Sequence, residues 1–213
     1  ERQHGYKESD SMGGYDPYSS SKGCAELVTS SYRSSFLQDQ GVGLASVRAG
    51  NVIGGGDWAD DRLIPDILRS FEKSEPVVIR NPKATRPWQH VLEPLSGYLI
   101  LAEKLYKNQK EYAEGWNFGP NEQDAKPVDW ILNKMTLKWP NSSWKLDSNY
   151  NPHEADFLKL DILKSKSRLG WQPVWGLNYT LEKVVNWHRA WISKEDVQAI
   201  CLAEIKEYTK SMK

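Results

Sequence analysis

Cysteine and histidine are scarce in this sequence, with two and four residues respectively among 213. Cys24 and Cys201 form no CxxC pair, and so few thiols in a chain this long read as reduced side chains of a cytoplasmic protein. His4, His90, His153 and His188 lack metal-ligand spacing, which argues against a structural zinc. An excess of one charge is also missing. Lys+Arg and Asp+Glu number 28 each, so no basic stripe points to nucleic acid. No apolar run approaches a membrane span, and no charged-then-apolar leader suggests export. What is present is a globular composition, 39% hydrophobic and 26% charged. The length suits one large or two small domains. Tryptophan is the residue in excess, with ten copies, most expected in the core and some able to line a sugar or base site.

The chain opens polar and turn-rich, with Gly13-Gly14 and Asp16-Pro17 as breakers. Apolar spacing predicts a helix over 18–38, stopped by Gly41. Residues 43–53 read as one strand buried on both faces, ended by Gly54-Gly55-Gly56. A helix over 62–73 tolerates Pro65 only in its first turn. A short strand at 76–81 follows, then the strongest helical pattern, 92–107. Further strands are expected at 115–119, 144–147 and 157–161. Helices are expected at 127–138, from Asp161 to a stop at Gly170, and over 180–191 and 194–210. Strands alternating with helices define an α/β class.

Two motifs could carry chemistry. Tyr18-Ser-Ser-Ser-Lys22 puts a phenol and an ammonium on one helical face. An ammonium beside a phenol favours its ionised form, so Tyr18 could act as a base near neutral pH. Roughly one Tyr-x-x-x-Lys pair is expected by chance, and Tyr106/Lys110 and Tyr179/Lys183 share the spacing. Only Tyr18/Lys22 encloses three serines and continues into Gly23-Cys24-Ala25, small residues that let a flat cofactor approach; a solvated helix start is the competing reading. The second motif, Gly54-Gly-Gly-Asp-Trp-Ala59, formally fits a dinucleotide fingerprint. Asp57, Asp60 and Asp61 would repel a phosphate there, so a loop shaping a substrate cleft fits better. Arg80, Lys83, Arg86, Trp88 and His90 cluster in the sequence. Arginine forks suit a diphosphate and Trp88 could stack on a base, but the residues alone favour a solvated loop with one aromatic anchor.

Taken together, five segments resemble the extended short-chain dehydrogenase/reductase superfamily: Tyr18–Lys22, Arg48-Ala-Gly-Asn51, Gly54–Trp58, Arg62-Leu-Ile-Pro-Asp66 and Thr85-Arg-Pro-Trp-Gln-His-Val91. Within it they are most similar to sugar-nucleotide 4,6-dehydratases acting on CDP-glucose. Trp116–Pro120, His153-Glu-Ala155, Leu160-Asp161 and Leu169-Gly-Trp171 continue the likeness, which spans about 14–187. The resemblance implies an incomplete Rossmann sheet from 1–50 and about 88–120, and a smaller mixed α/β substrate domain from about 51–87 and 121–213. It implies bound NAD, contacted by Tyr18, Lys22, Arg48, Ala49, Gly50 and Val52. It implies sugar-nucleotide contacts from Asn51, Arg62, Leu63, Arg86, Trp88 and His153, with Glu154 a poor anion ligand beside it. In such enzymes the tyrosine takes the 4-hydroxyl proton as hydride leaves C4, and the lysine holds the nicotinamide ribose. Water is then lost across C5–C6 and hydride returns to C6. The 4-keto-6-deoxy product feeds bacterial surface polysaccharides such as lipopolysaccharide O-antigen. A homodimer or homotetramer is implied through the Tyr18 helix, with Cys24, Leu27, Val28, Ser31 and Phe36 as its face, unless that stripe serves an internal core. No glycine-rich strand–turn–helix precedes Tyr18, and the segment bearing the dehydration acid/base pair is not in the sequence. The chain is therefore expected to be the C-terminal portion of such an enzyme, inactive alone. A related epimerase or dehydratase, and a non-catalytic sugar-nucleotide-binding module, remain open alternatives.

Overall fold

The computed structural model describes residues 4–149 and 156–212. Asp16 caps the first helix, α1 (Pro17–Tyr32), accepting from the Ser19 amide at 2.9 Å and its hydroxyl at 2.6 Å. Pro17 opens the helix, where its missing N–H costs nothing. The helical path expected to 38 continues as a wider turn, Arg33–Leu37, with Gln38 N donating to Arg33 O. Gly23 is the one buried residue of α1, while Leu27, Val28, Tyr32 and Phe36 are exposed.

The strand expected over 43–53 is two strands. β1 (Ser46–Ala49) and β2 (Asn51–Ile53) part at Gly50 and enter different sheets. β1 lies parallel to β5 (Gly115–Phe118), Arg48 opposite Asn117. β2 lies parallel to β4 (Thr85–His90), Asn51 opposite Trp88. Gly50 permits the parting because a Cβ there would stand 2.3 Å from the Pro87 carbonyl oxygen. Nor is the segment buried on both faces, since Val47 is 40% exposed. A second correction concerns β4. The basic and aromatic stretch that reads as a solvated loop is the central strand of the three-stranded β2–β4–β6 sheet, antiparallel to β6 (Ala125–Pro127). Trp88, Gln89 and His90 are buried in it.

Two apolar clusters hold the chain. In the first, α2 (Leu63–Glu72) turns Ile64, Ile67, Leu68 and Phe71 inward, the i, i+3, i+4, i+7 stripe of an amphipathic helix. It packs with Val77 and Ile79 of β3 (Val77–Ile79), with α5 (Val128–Lys138) and with α6 (Leu177–Ile192). Pro65 sits in the first turn of α2, as its ring requires. β3 pairs with β7 (Trp144–Leu146). The second cluster joins Leu101 of α3 (Leu92–Lys107) to Trp116, Phe118, Ile162, Leu169 and Trp171. A short α4 (Gln109–Tyr112) separates α3 from β5.

The expected strand at 157–161 is extended but forms only single bridges, Phe157 to Thr85 and Leu160 to Tyr6. Asp161 then accepts from Leu163 N at 2.8 Å, and the helical turns that follow stop at Gly170 in the left-handed region, φ 71°. The last helix, α7 (Val197–Ser211), is tied back to α3 through a buried carboxylate. Glu93 accepts from Trp175 N at 2.7 Å, Val174 N at 3.0 Å and the Tyr208 hydroxyl at 2.7 Å. Burial pushes its carboxyl up, against the pull of those three donors. The architecture is α/β throughout.

Candidate functional site

Two clefts collect most of the residues singled out from the sequence. The larger, about 640 Å³, lies between α1, β1 and the 6–13 segment, and Tyr18, Lys22, Arg48 and Ala49 line it. Tyr18 is 70% exposed, and the Lys22 ammonium lies 5.3 Å from the centre of its ring. Small residues form much of the wall, including Gly13, Gly23, Ala25 and Ser46. Gly13 has φ 134° with open space where a side chain would stand.

Arg48 does not reach freely into this cleft. Its Nε donates to Glu26 Oε1 at 2.7 Å, while the Ser46 hydroxyl donates to Glu26 Oε2 at 2.6 Å. The Arg48 guanidinium beside it holds the Glu26 carboxyl below the usual carboxylate range. Arg48 therefore fastens α1 to β1. Sequence reasoning missed Glu26, although its signal was present: residues 18, 22 and 26 recur at i, i+4 and i+8 and share one helical face.

The second cleft, about 240 Å³, is bounded by β3, β4 and the start of α2. Asn51, Leu63, Arg86 and Trp88 line it, joined by Arg80, Asn81, Asp61 and Asp66. Trp88 is 4% exposed and donates from Nε1 to Lys126 O at 3.0 Å, so its ring is a fixed wall. Arg86 donates from Nη1 to Thr85 O at 3.0 Å. Asp66 and Asn81 were not found from the sequence; an acidic residue in a helix's first turn reads simply as a partner of the macrodipole.

Ala49 lines the first cleft and Asn51 the second, so a single residue, Gly50, separates them along the chain. Gly50, Val52 and Arg62 line neither cleft. Gly50 is a close-packing point, and Arg62 caps α2 with extended backbone. His153 and Glu154 lie outside the described residues. The glycine loop 54–56 is packed under α6, because a Cβ on Gly55 would meet the Trp187 ring at 2.2 Å. Trp58 follows it onto Trp187, His188 and Trp191. Tyr179/Lys183 is a packing pair, both side chains bonded to Glu207. Among the described residues no group of three or more His, Cys, Asp or Glu could hold a metal, and no helix is long and apolar enough to cross a membrane.

The sequence matches a defined family. The NAD dependent epimerase/dehydratase family model matches residues 2–115, more than half of the chain, and the chain belongs to that family. Over 210 residues the chain is 59% identical to CDP-glucose 4,6-dehydratase of Salmonella typhimurium (strain LT2), covering 96% of this chain and 58% of that protein. Solved structures share the fold at low identity. One is dTDP-glucose 4,6-dehydratase from Bacillus anthracis in complex with NAD, with a TM-score of 0.73, 19% identity, and coverage of 89% of this chain and 57% of that one. Another is UDP-glucose-4-epimerase from Stenotrophomonas maltophila with bound NAD and formylated UDP-arabinopyranose, with a TM-score of 0.75, 16% identity, and coverage of 91% and 61%. The chain thus spans somewhat over half the length of the relatives it matches.

Proposed function

We propose that this chain carries the substrate-binding part and the proton-transfer pair of an NAD-dependent CDP-glucose 4,6-dehydratase, a cytoplasmic enzyme of deoxysugar synthesis. The observation that carries the reading is that Ala49 and Asn51, on either side of Gly50, line the two clefts. A sugar held at Asn51 would present its hydroxyls toward Tyr18, while the nucleotide runs between β3 and β4 along Leu63, Arg86 and Trp88. NAD would supply a hydride acceptor and donor, and the small-residue wall with Lys22 and Ala49 suits its nicotinamide end. Tyr18 would take the proton of the sugar 4-hydroxyl onto an ionised phenolic oxygen and be left as the neutral phenol, with the Lys22 ammonium 5.3 Å from the centre of its ring. Arg86, a planar fork, would hold a phosphate.

In the same reading, residues 1–50 with about 88–120 form the dinucleotide-binding lobe. The rest forms the sugar-nucleotide lobe; the second apolar cluster favours grouping 160–171 with the former. The exposed Leu27 and Val28 on α1, with Phe36 in the wider turn that follows, support pairing of two copies through that helix. Turnover of CDP-glucose by a longer chain that adds a dinucleotide-binding N-terminal half, with NAD supplied and followed as the 4-keto-6-deoxy product, tests the proposal. Product that Tyr18→Phe abolishes supports it. A Tyr18→Phe rate equal to wild type would remove Tyr18 from its role, and failure to bind CDP-glucose at all would sink the reading.

A further inference from the structure

We propose that Asp66 selects the base of the nucleotide, accepting a hydrogen bond from an exocyclic amino group and so favouring cytosine over uracil. The inference rests on the second cleft being the nucleotide site. That cleft has two kinds of charge on its walls: guanidinium groups from Arg80 and Arg86, and carboxylates from Asp61 and Asp66. A diphosphate is drawn to the first and repelled by the second. The part of the ligand facing Asp61 and Asp66 is therefore better a hydrogen-bond donor than a phosphate.

Asp66 is held for that task. Arg69, one turn on in α2, pairs with Asp66 Oδ1 and is itself fixed by the carbonyls of Trp58 at 3.2 Å and Ala59 at 3.3 Å. The carboxylate is thus anchored through Oδ1 on a residue that lines the cleft, and Oδ2 is the oxygen left to accept from a ligand. An ionised carboxylate only accepts. Cytosine offers N4–H₂ at the position where uracil and thymine offer a carbonyl oxygen. The first is a charge-assisted hydrogen bond, and the second sets two acceptors against each other. A site built this way rejects the wrong partner through the unpaired acceptors it leaves.

Isothermal titration of the full chain with CDP and with UDP measures the preference directly. The wild type should bind CDP at least about tenfold more tightly, the worth of one charged hydrogen bond. Asp66→Asn, whose amide can also donate, should bring the two within about threefold by weakening CDP and not UDP, at an unchanged melting temperature. Asp61→Asn should keep the preference. Equal weakening of CDP and UDP in Asp66→Asn would mean that Asp66 reads the ribose, and would overturn the proposal. So would an unchanged preference, or its loss in Asp61→Asn alone. If neither nucleotide binds the wild type, the assignment of the cleft itself fails.

Discussion

Replacing Gly50 by alanine tests the junction on which both clefts depend. The new Cβ would lie 2.3 Å from the Pro87 carbonyl oxygen and 3.1 Å from Pro87 Cβ and Cγ. The overlap with the oxygen is about an ångström, and neither partner can escape by changing rotamer, since one is backbone and the other a ring. Relief requires β4 to move away from the β1–β2 connection, against the Asn51–Trp88 register and the bond from Gly50 N to Phe118 O at 3.1 Å. Overpacking of this kind costs about 1–3 kcal/mol. Alanine recovers about 0.4–1 kcal/mol by restricting the unfolded chain. A net loss of about 1.3 kcal/mol is expected, a fall of roughly 3–5 °C in melting temperature for a chain of this size. Gly176→Ala is the control, because its nearest neighbour is an Asp124 carboxylate oxygen at 3.9 Å and its φ is −70°; it should stay within about 0.5 kcal/mol. Thermal melts and urea titrations read both variants. If Gly50→Ala melts within about 1 °C of the control, the strands do not approach as described and the argument from packing fails.

Two further perturbations address the buried polar groups. Burial, with the Lys183 charge nearby, lowers His90 to about 4, so the folded protein resists a proton that the unfolded chain accepts near its ordinary value. Its contribution is therefore complete above about pH 6.5 and is lost as pH falls toward 4, by about 2 kcal/mol at pH 5. Glu93 and Glu204, both raised by burial, act in the opposite sense, so the comparison is with His90→Asn, which keeps an acceptor for Leu92 N. Urea titrations at pH 7 and pH 5 should show the variant losing less stability than wild type, and equal losses would refute the assignment. Tyr208→Phe removes the hydroxyl that donates to Glu93 at 2.7 Å and contacts Ser96 at 3.1 Å. The expected cost is about 1.5–3 kcal/mol at pH 7, shrinking at lower pH because a Glu93 with one donor fewer protonates more readily. A cost independent of pH would mean that the lost bond is not to a carboxylate.

What could be read in advance follows from how local each cause is. The helix over 92–107 was legible from the helical period of its apolar residues, but not its buried face: Leu95 and Leu99 of that stripe are exposed, and Glu93, Ser96, Gly97 and Leu101 are buried instead. The start of α1 was legible because Asp16 and Pro17 act within four residues of themselves. β4 was not. Arg86, Trp88 and His90 read as a solvated loop with one aromatic anchor, and the burial of Trp88 and His90 comes with partners far away in sequence: the amide of neighbouring Gln89 donates to Phe118 O, and Trp88 donates to Lys126 O. Tertiary pairing overrode local polarity there. The same distinction divides the candidate site. Tyr18 and Lys22 are one helical turn apart and could be paired on paper. The second cleft exists only because α2, β3 and β4 converge, and Asp66 gains a direction only through an arginine that is anchored to the 58–59 carbonyls. A carboxylate whose meaning depends on which side of a fold its anchor pulls it toward carries no local signature. Chemistry carried by one helical turn can therefore be proposed from sequence, whereas the selectivity of a cleft between elements has to be read from the folded chain.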